Sequence, residues 1–209
     1  MFVLTADQRG SRASADRVGT GLSALAAAVA RPVRTFERTA GDEVQGVLAS
    51  PDDVLRAVLA LVRDERWWVG VGVGAVERPL PASTRAGRGP AFTAAREAVE
   101  RAKRRPHAVA VVGGGPGAEL ASDADAVLAL VLAVQSRWSP EAREAVDLVS
   151  AGLTQTAAAG RLGVTRQAVG QRLQAALWRQ HTDALAVCAR LLARADAAGE
   201  RDAPSRGGR

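Results

Sequence analysis

Residues 67–76, "WWVGVGVGAV", constrain the fold more than any other stretch of this chain. Val69, Val71 and Val73 alternate strictly with Gly70, Gly72 and Gly74. Period-two alternation marks a strand, whose successive side chains project to opposite faces. One face of this strand is therefore apolar and the other is bare. Glycine weakens a strand interior, and a bare face lets a helix, a backbone or a ligand approach closely.

The flanking pattern places this strand in a sheet. Phe2 to Ala6 is a short apolar run that reads as a buried strand ending at Asp7. Ser14 can cap a helix to about Ala30, with Val18, Leu22, Leu25 and Val29 on one face and Pro32 as its stop. Val33–Thr39 and Glu43–Ala49 read as strands joined by a tight turn at Gly41-Asp42. Ser50, Pro51, Asp52 and Asp53 form a helix start, followed by the stripe Leu55, Val58, Leu59 and Val62. Pro90 to Arg105 is helical, with Glu97–Arg101 and Glu100–Arg104 spaced i, i+4. "HAVAVVGG" supplies one more strand.

The first half thus reads β-α-β-β-α-β-α-β, and the second half is all helix. Two helices on one side of an antiparallel sheet predict a ferredoxin-like or palm-like layer. The expected class is α+β. The expected divisions are a sheet domain over 1–112, a glycine-rich linker over 113–123, a helical domain over 124–198 and a disordered tail over 199–209.

Composition matters in three places. The chain has 209 residues and 47% hydrophobic content, enough for a core, yet no apolar run reaches membrane-spanning length. Asp7 and Arg9 come too early for a signal peptide. The single cysteine, Cys188, excludes an intrachain disulfide and a cysteine metal cluster, and points to a reducing cytoplasm. Net charge is +6, compatible with a nucleic-acid partner. Lys103 is the only lysine, and Ala, Arg, Gly and Val dominate, so the total charge also reads as the coding bias of a GC-rich genome.

Where the acids fall is more informative. In a split β-α-β sheet the first strand lies antiparallel to the second hairpin strand. Asp7 at the end of one then faces Asp42 and Glu43 at the start of the other. Converging carboxylates repel unless a cation lies between them, and hard oxygen ligands of this kind suit Mg²⁺ bridging to phosphate. The alternative is a solvated turn plus an Asp capping a helix. Arg9, Gly10, Ser11 and Arg12 before one helix, and Arg85 to Gly89 before another, offer N–H groups and arginines to a phosphate. The glycines serve equally as plain turns.

"FVLTADQRGSR", "RTAGDEVQGVL", "VGVGVGAV" and "GPAFTAAREAVE" resemble the blocks of the SatD family. Those blocks are similar to class III nucleotidyl cyclases and, more distantly, to the palms of diguanylate cyclases and polymerases. The resemblance covers roughly residues 1–112. It implies that Asp7 and Asp42 bind the metals that activate a nucleoside triphosphate, and that Arg96 matches a transition-state arginine. The chain departs from cyclases at "DQRGSR", where they have apolar residues and a phosphate-cradling Phe. It departs again at Phe92, where they have an Asn. The expectation is therefore a nucleotide and Mg²⁺ bound as signal rather than turned over. A nucleotidyl cyclase or nucleotidyltransferase is the alternative, and a DNA-binding protein with a dead palm is a third reading.

The helical half carries its own pattern. Ser139-Pro140-Glu141 starts one helix and Gly152 ends it. Thr154 caps a short helix through Leu162, Gly163 makes a tight turn, and Thr165 caps the next helix. This is a helix-turn-helix spacing. Leu162, Val164, Val169 and Leu173 read as its core. Thr154, Gln155, Thr165, Arg166, Gln167, Gln171 and Arg172 read as its face towards double-stranded DNA, since Arg and Gln pair bidentately with guanine and adenine edges. No Asp or Glu lies between Val149 and Thr182, while Arg161, Arg166, Arg172 and Arg179 do. The stretch resembles sigma factor region 4. A plain Ala/Arg-rich bundle is the alternative. His107 and His181 read as surface or capping residues and the four tryptophans as packing. Trp178, Leu185 and Leu192 recur every seven residues, as a homodimer seam or as packing on the chain itself. Together these features predict a cytoplasmic, DNA-binding transcription regulator whose N-terminal domain senses a nucleotide.

Overall fold

The computed structural model describes residues 1–10 and 15–201; Ser11, Arg12, Ser14 and the tail from 202 lie outside the described residues. The protein is α+β, with a five-stranded mixed sheet and, among the described residues, eight α-helices. In chain order these are β1 (Phe2–Gln8), α1 (Val18–Ala28), β2 (Arg34–Arg38), β3 (Glu43–Leu48), α2 (Pro51–Val62), β4 (Trp67–Val73), α3 (Pro90–Ala102) and β5 (Val109–Gly113). Then follow α4 (Ala118–Gln135), α5 (Pro140–Ser150), α6 (Gln155–Leu162), α7 (Arg166–Ala175) and α8 (Trp178–Arg201). Two compact units result: Met1–Ala126 with Cys188–Arg209, and Val127–Val187. The division falls inside α4 and α8.

The sheet order is β2-β3-β1-β4-β5. β1 runs antiparallel to β3 and to β4, with Asp7 opposite Glu43 on one side and Trp68 on the other. β5 is parallel to β4, so the sheet is mixed rather than antiparallel as expected. The helix α3 supplies the long crossover that a parallel pair requires.

The glycine face of β4 is occupied by a helix backbone. A Cβ at Gly72 would lie 2.1 Å from the carbonyl oxygen of Ala91 and 2.4 Å from the amide nitrogen of Ala95. One at Gly70 would lie 2.3 Å from the amide nitrogen of Val99. The facing α3 residues Ala91, Ala95 and Ala98 are fully buried and small. The opposite face carries Trp67, Val69, Val71 and Val73, all buried. There α1 packs on α2, and Gly21 of α1 makes room for the Trp67 ring, which a Cβ would meet at 2.5 Å.

Other elements differ from expectation in detail. β1 runs through Asp7 to Gln8, and the buried Gln8 amide organises the start of α1. Its Nε2 donates to the Ala15 carbonyl at 2.8 Å and its Oε1 accepts from the Arg17 amide at 2.8 Å. α1 begins at Val18, whose amide donates to the Asp16 carboxylate at 2.9 Å. α2 starts as expected, the Ser50 hydroxyl accepting from the Asp53 amide. α3 ends at Ala102, and Glu100 pairs with Lys103 at 2.7 Å, whereas the expected partner was Arg104. Residues 118–123, expected in the linker, are the first turns of α4. The reason is a buried anchor: Asp125 accepts from both Arg105 guanidinium nitrogens at 2.7 Å and from the Val111 amide at 2.7 Å. Cys188, Leu192 and Ala195 of α8 are buried in the same unit, and Gly117 sits against the Ala195 backbone. Leu192 of the seven-residue seam thus packs on its own chain. α8 continues through Arg201, past the expected start of the tail at 199. Among the described residues no helix is long and apolar enough to cross a membrane.

Gly72→Ala is expected to destabilise the sheet unit by about 3 kcal/mol, because α3 backbone cannot give way as a side chain can. Gly19→Ala, exposed in the first turn of α1 with nothing within 4 Å of its Cβ, is expected to be neutral or stabilising by up to about 1 kcal/mol. Denaturant melts of the two variants check this; equal stabilities would show that α3 does not rest on the glycines.

Candidate functional site

Two places gather the candidate side chains, one in each unit. In the helical unit the starts of α5, α6 and α7 are each capped by a hydroxyl side chain. Ser139 accepts from the Ala142 amide at 3.1 Å, Thr154 from the Ala157 amide at 3.2 Å and Thr165 from the Ala168 amide at 3.1 Å. Each satisfies a backbone donor that the helix itself leaves free. The hydroxyl protons of Thr154 and Thr165 stay available to an outside acceptor. Gly163 ends α6 in the left-handed conformation (φ 65°, ψ 30°), and the Val164 amide closes the turn on the Ala159 carbonyl at 3.1 Å.

Ala158, Ala159, Val169 and Leu173 bury against Ala142, Ala145 and Val146 of α5, with Leu162 and Val164 at the edge. Trp138 and Trp178 flank this cluster, and the Trp138 indole donates to the Ala176 carbonyl at 2.7 Å. His181, expected at the surface or as a cap, is buried between them, its ring centroid 4.7 Å from that of Trp138. Its Nε2 lies 3.3 Å from the Gln135 amide oxygen, and burial lowers its pKa. The i, i+3 spacing of Trp178 and His181 was the sequence signal for this shared face.

The face left outside these cores carries Thr154, Thr165, Arg166, Gln167 and Gln171, all exposed. Gln155 and Arg172 are half-buried. The Gln155 side-chain oxygen Oε1 lies 3.7 Å from where a Cβ on Gly170 of α7 would stand. Arg172 lies near Glu141 of α5, whose carboxyl is held below its usual pKa first by the Ser139 hydroxyl and also by that arginine.

In the sheet unit the carboxylates meet as the strand pairing predicts, with a different third partner. The Asp42 carboxyl lies near enough to Asp7 to help raise its pKa. Glu43, opposite Asp7 in register, turns away and accepts from the Thr39 hydroxyl. In its place stands Lys103, at the end of α3, with Nζ 2.9 Å from Asp7 Oδ2 and 2.7 Å from Glu100 Oε1. The Trp68 ring lies beside it, 5.8 Å from Lys103 Nζ and 5.8 Å from the Arg9 guanidinium carbon. Desolvation raises the pKa of Asp7, Asp42 adds to the rise, and Lys103 opposes it. The Lys103 ammonium is raised first by its hydrogen bond to Glu100.

The magnesium implied by the cyclase resemblance needs several converging oxygens at short distance. Among the described residues no group of three His, Cys, Asp or Glu is arranged to hold a metal ion. Asp7 and Asp42 face each other and an ammonium, so as arranged they do not fit a divalent ion. Arg96 is exposed on α3, seven residues before Lys103 and hence about 10 Å along the helix axis, so it is not brought to this edge. Phe92 is core, packed with Val3 and Val47. Arg9 reaches the edge; Gly10 is exposed with φ 65°, and Ser11 and Arg12 lie outside the described residues.

The second phosphate candidate, around Arg85, is already satisfied from within. Glu37 accepts from the Ser83 hydroxyl at 2.7 Å, from the Thr84 hydroxyl at 2.8 Å and from the Thr84 and Arg85 amides. Comparison of the chain with protein-family models, with curated proteins and with solved structures gives no match.

The Glu37 carboxyl is held below its usual 4.5, first by the Ser83 hydroxyl and then by Thr84. A depressed carboxyl stabilises the fold above its unfolded pKa and loses that contribution as pH falls through the folded value. Amide NMR of Thr84 and Arg85 is therefore expected to report release of the 83–86 turn below pH 4.5, and no such transition in Glu37→Ala.

Proposed function

We propose that the protein is a DNA-binding transcription regulator, with α6 and α7 acting as a helix-turn-helix. One observation carries this reading. The first turns of α7 present Arg166, Gln167 and Gln171 to solvent behind a threonine cap, in a stretch from Ser150 to Thr182 that holds no acidic residue. Arg and Gln supply the bidentate donors and acceptors that base edges require, and Arg161 and Arg179 supply charge for phosphates.

In the same reading the sheet unit is a SatD-like, palm-like sensor of a nucleotide. Its support is the β2-β3-β1-β4 order, the split β-α-β arrangement that brings Asp42 to Asp7. Magnesium joins this reading only if Lys103 leaves Asp7. The enzymatic reading has no such support, because Phe92 is committed to the core and Arg96 stands away from the carboxylates. A homodimer on paired DNA half-sites would use a surface other than the 178–185–192 seam, since Trp178 and Leu192 already pack on their own chain.

Arg166→Ala and Gln167→Ala are each expected to weaken binding to a selected duplex site by about 1–3 kcal/mol, roughly 5- to 150-fold. Their melting temperatures should stay at the wild-type value, because both side chains are exposed. Fluorescence anisotropy at fixed salt measures the affinities. Wild-type protein that binds no duplex even at low salt overturns the reading.

A further inference from the structure

We infer that Lys103 is a resident counter-ion that takes the place of a divalent cation at the Asp7–Asp42 edge. Of the 28 Lys and Arg residues, Lys103 alone is lysine. It stands where a compact point charge is needed. An ammonium directs three donors from one small centre, whereas a guanidinium is planar and wide. Two of those donors meet Asp7 Oδ2 at 2.9 Å and Glu100 Oε1 at 2.7 Å. The Trp68 face closes the same side.

The position is fixed by the fold. Lys103 is the C-cap of α3, where a cation complements the helix dipole. α3 in turn is seated on Gly70 and Gly72 without intervening side chains. A divalent ion between Asp7 and Asp42 would place two further positive charges beside the ammonium, so ion and lysine exclude one another. The chain itself thus supplies the positive charge beside Asp7. This inference concerns the sheet unit and stands or falls apart from DNA binding.

The test uses the full chain and Mn²⁺, followed by the electron paramagnetic resonance of the free ion and by thermal melting. Wild type is expected to take up no Mn²⁺ at the edge and to melt alike with and without it. Lys103→Met is expected to bind Mn²⁺ about tenfold or more tightly than wild type, with a melting temperature that rises on Mn²⁺ addition. Adding Asp7→Asn to Lys103→Met should abolish both effects. Wild-type Mn²⁺ binding that is lost in Asp7→Asn overturns the inference, as does a folded Lys103→Met indifferent to Mn²⁺. If Lys103→Met does not fold even with Mn²⁺, Lys103→Met/Asp42→Asn must fold, since one carboxylate then leaves with its counter-ion; its failure to fold also overturns the inference.

Discussion

The contact between the backbone of α3 and the glycines of β4 sets the rest of the sheet unit. Helices usually ride on sheets with side chains between them. Here Gly70 and Gly72 remove one layer of side chains and the alanines of α3 thin the other. The helix is thereby fixed in depth and along its axis, since any slide meets a backbone rather than a flexible side chain. From that seat its C-terminal end delivers Lys103 to Asp7 on β1, and its crossover sets β5 parallel to β4. One pattern of alternating valine and glycine thus constrains a strand, a helix, a sheet edge and an ion pair.

Charges in this protein are arranged by proximity to backbone. Glu37 holds the 83–86 turn by its amides and hydroxyls, Asp125 holds the Val111 amide together with Arg105, and Asp16 holds the first amide of α1. A buried carboxylate such as Asp125 is costly unless several donors meet it; Glu37 is half-buried and Asp16 exposed. Each of these has at least two. Asp7 is the exception in kind: it faces another acid, and an ammonium stands beside it. The helical unit follows a different rule. Its caps are neutral hydroxyls, and its outer face is left to arginine and glutamine.

Much of this was legible in the sequence. Gly-Val alternation, Ser50-Pro51-Asp52-Asp53 and the Thr154/Gly163/Thr165 spacing act through local rules, and β4, α2 and the α6–α7 turn appear where those rules place them. The Asp7–Asp42 juxtaposition was also legible, because antiparallel pairing in a split β-α-β sheet is a strong constraint. What escaped was set by contacts distant in sequence. Asp125 looks like one more helical acid until Arg105 and the Val111 amide arrive. His181 looks solitary until Trp138 is folded onto α8. Lys103 looked like compositional noise among arginines, and its rarity was the one signal that marked it. Residues 113–123 read as a linker by glycine content, but only their first five residues escape α4.

The burial of Cys188 gives the chain a built-in gauge of its own opening. Its sulfur is sealed against the Ala124 carbonyl and its thiol pKa is pushed up to about 12, chiefly by burial. Burial disfavours the charged form, so at neutral pH the group is held as the thiol, and thiolate is the form that reacts. While α8 stays seated, this thiol is shielded from thiol-directed reagents. Because no other thiol exists to compete, the rate at which it ceases to be shielded measures how often that helix lifts away.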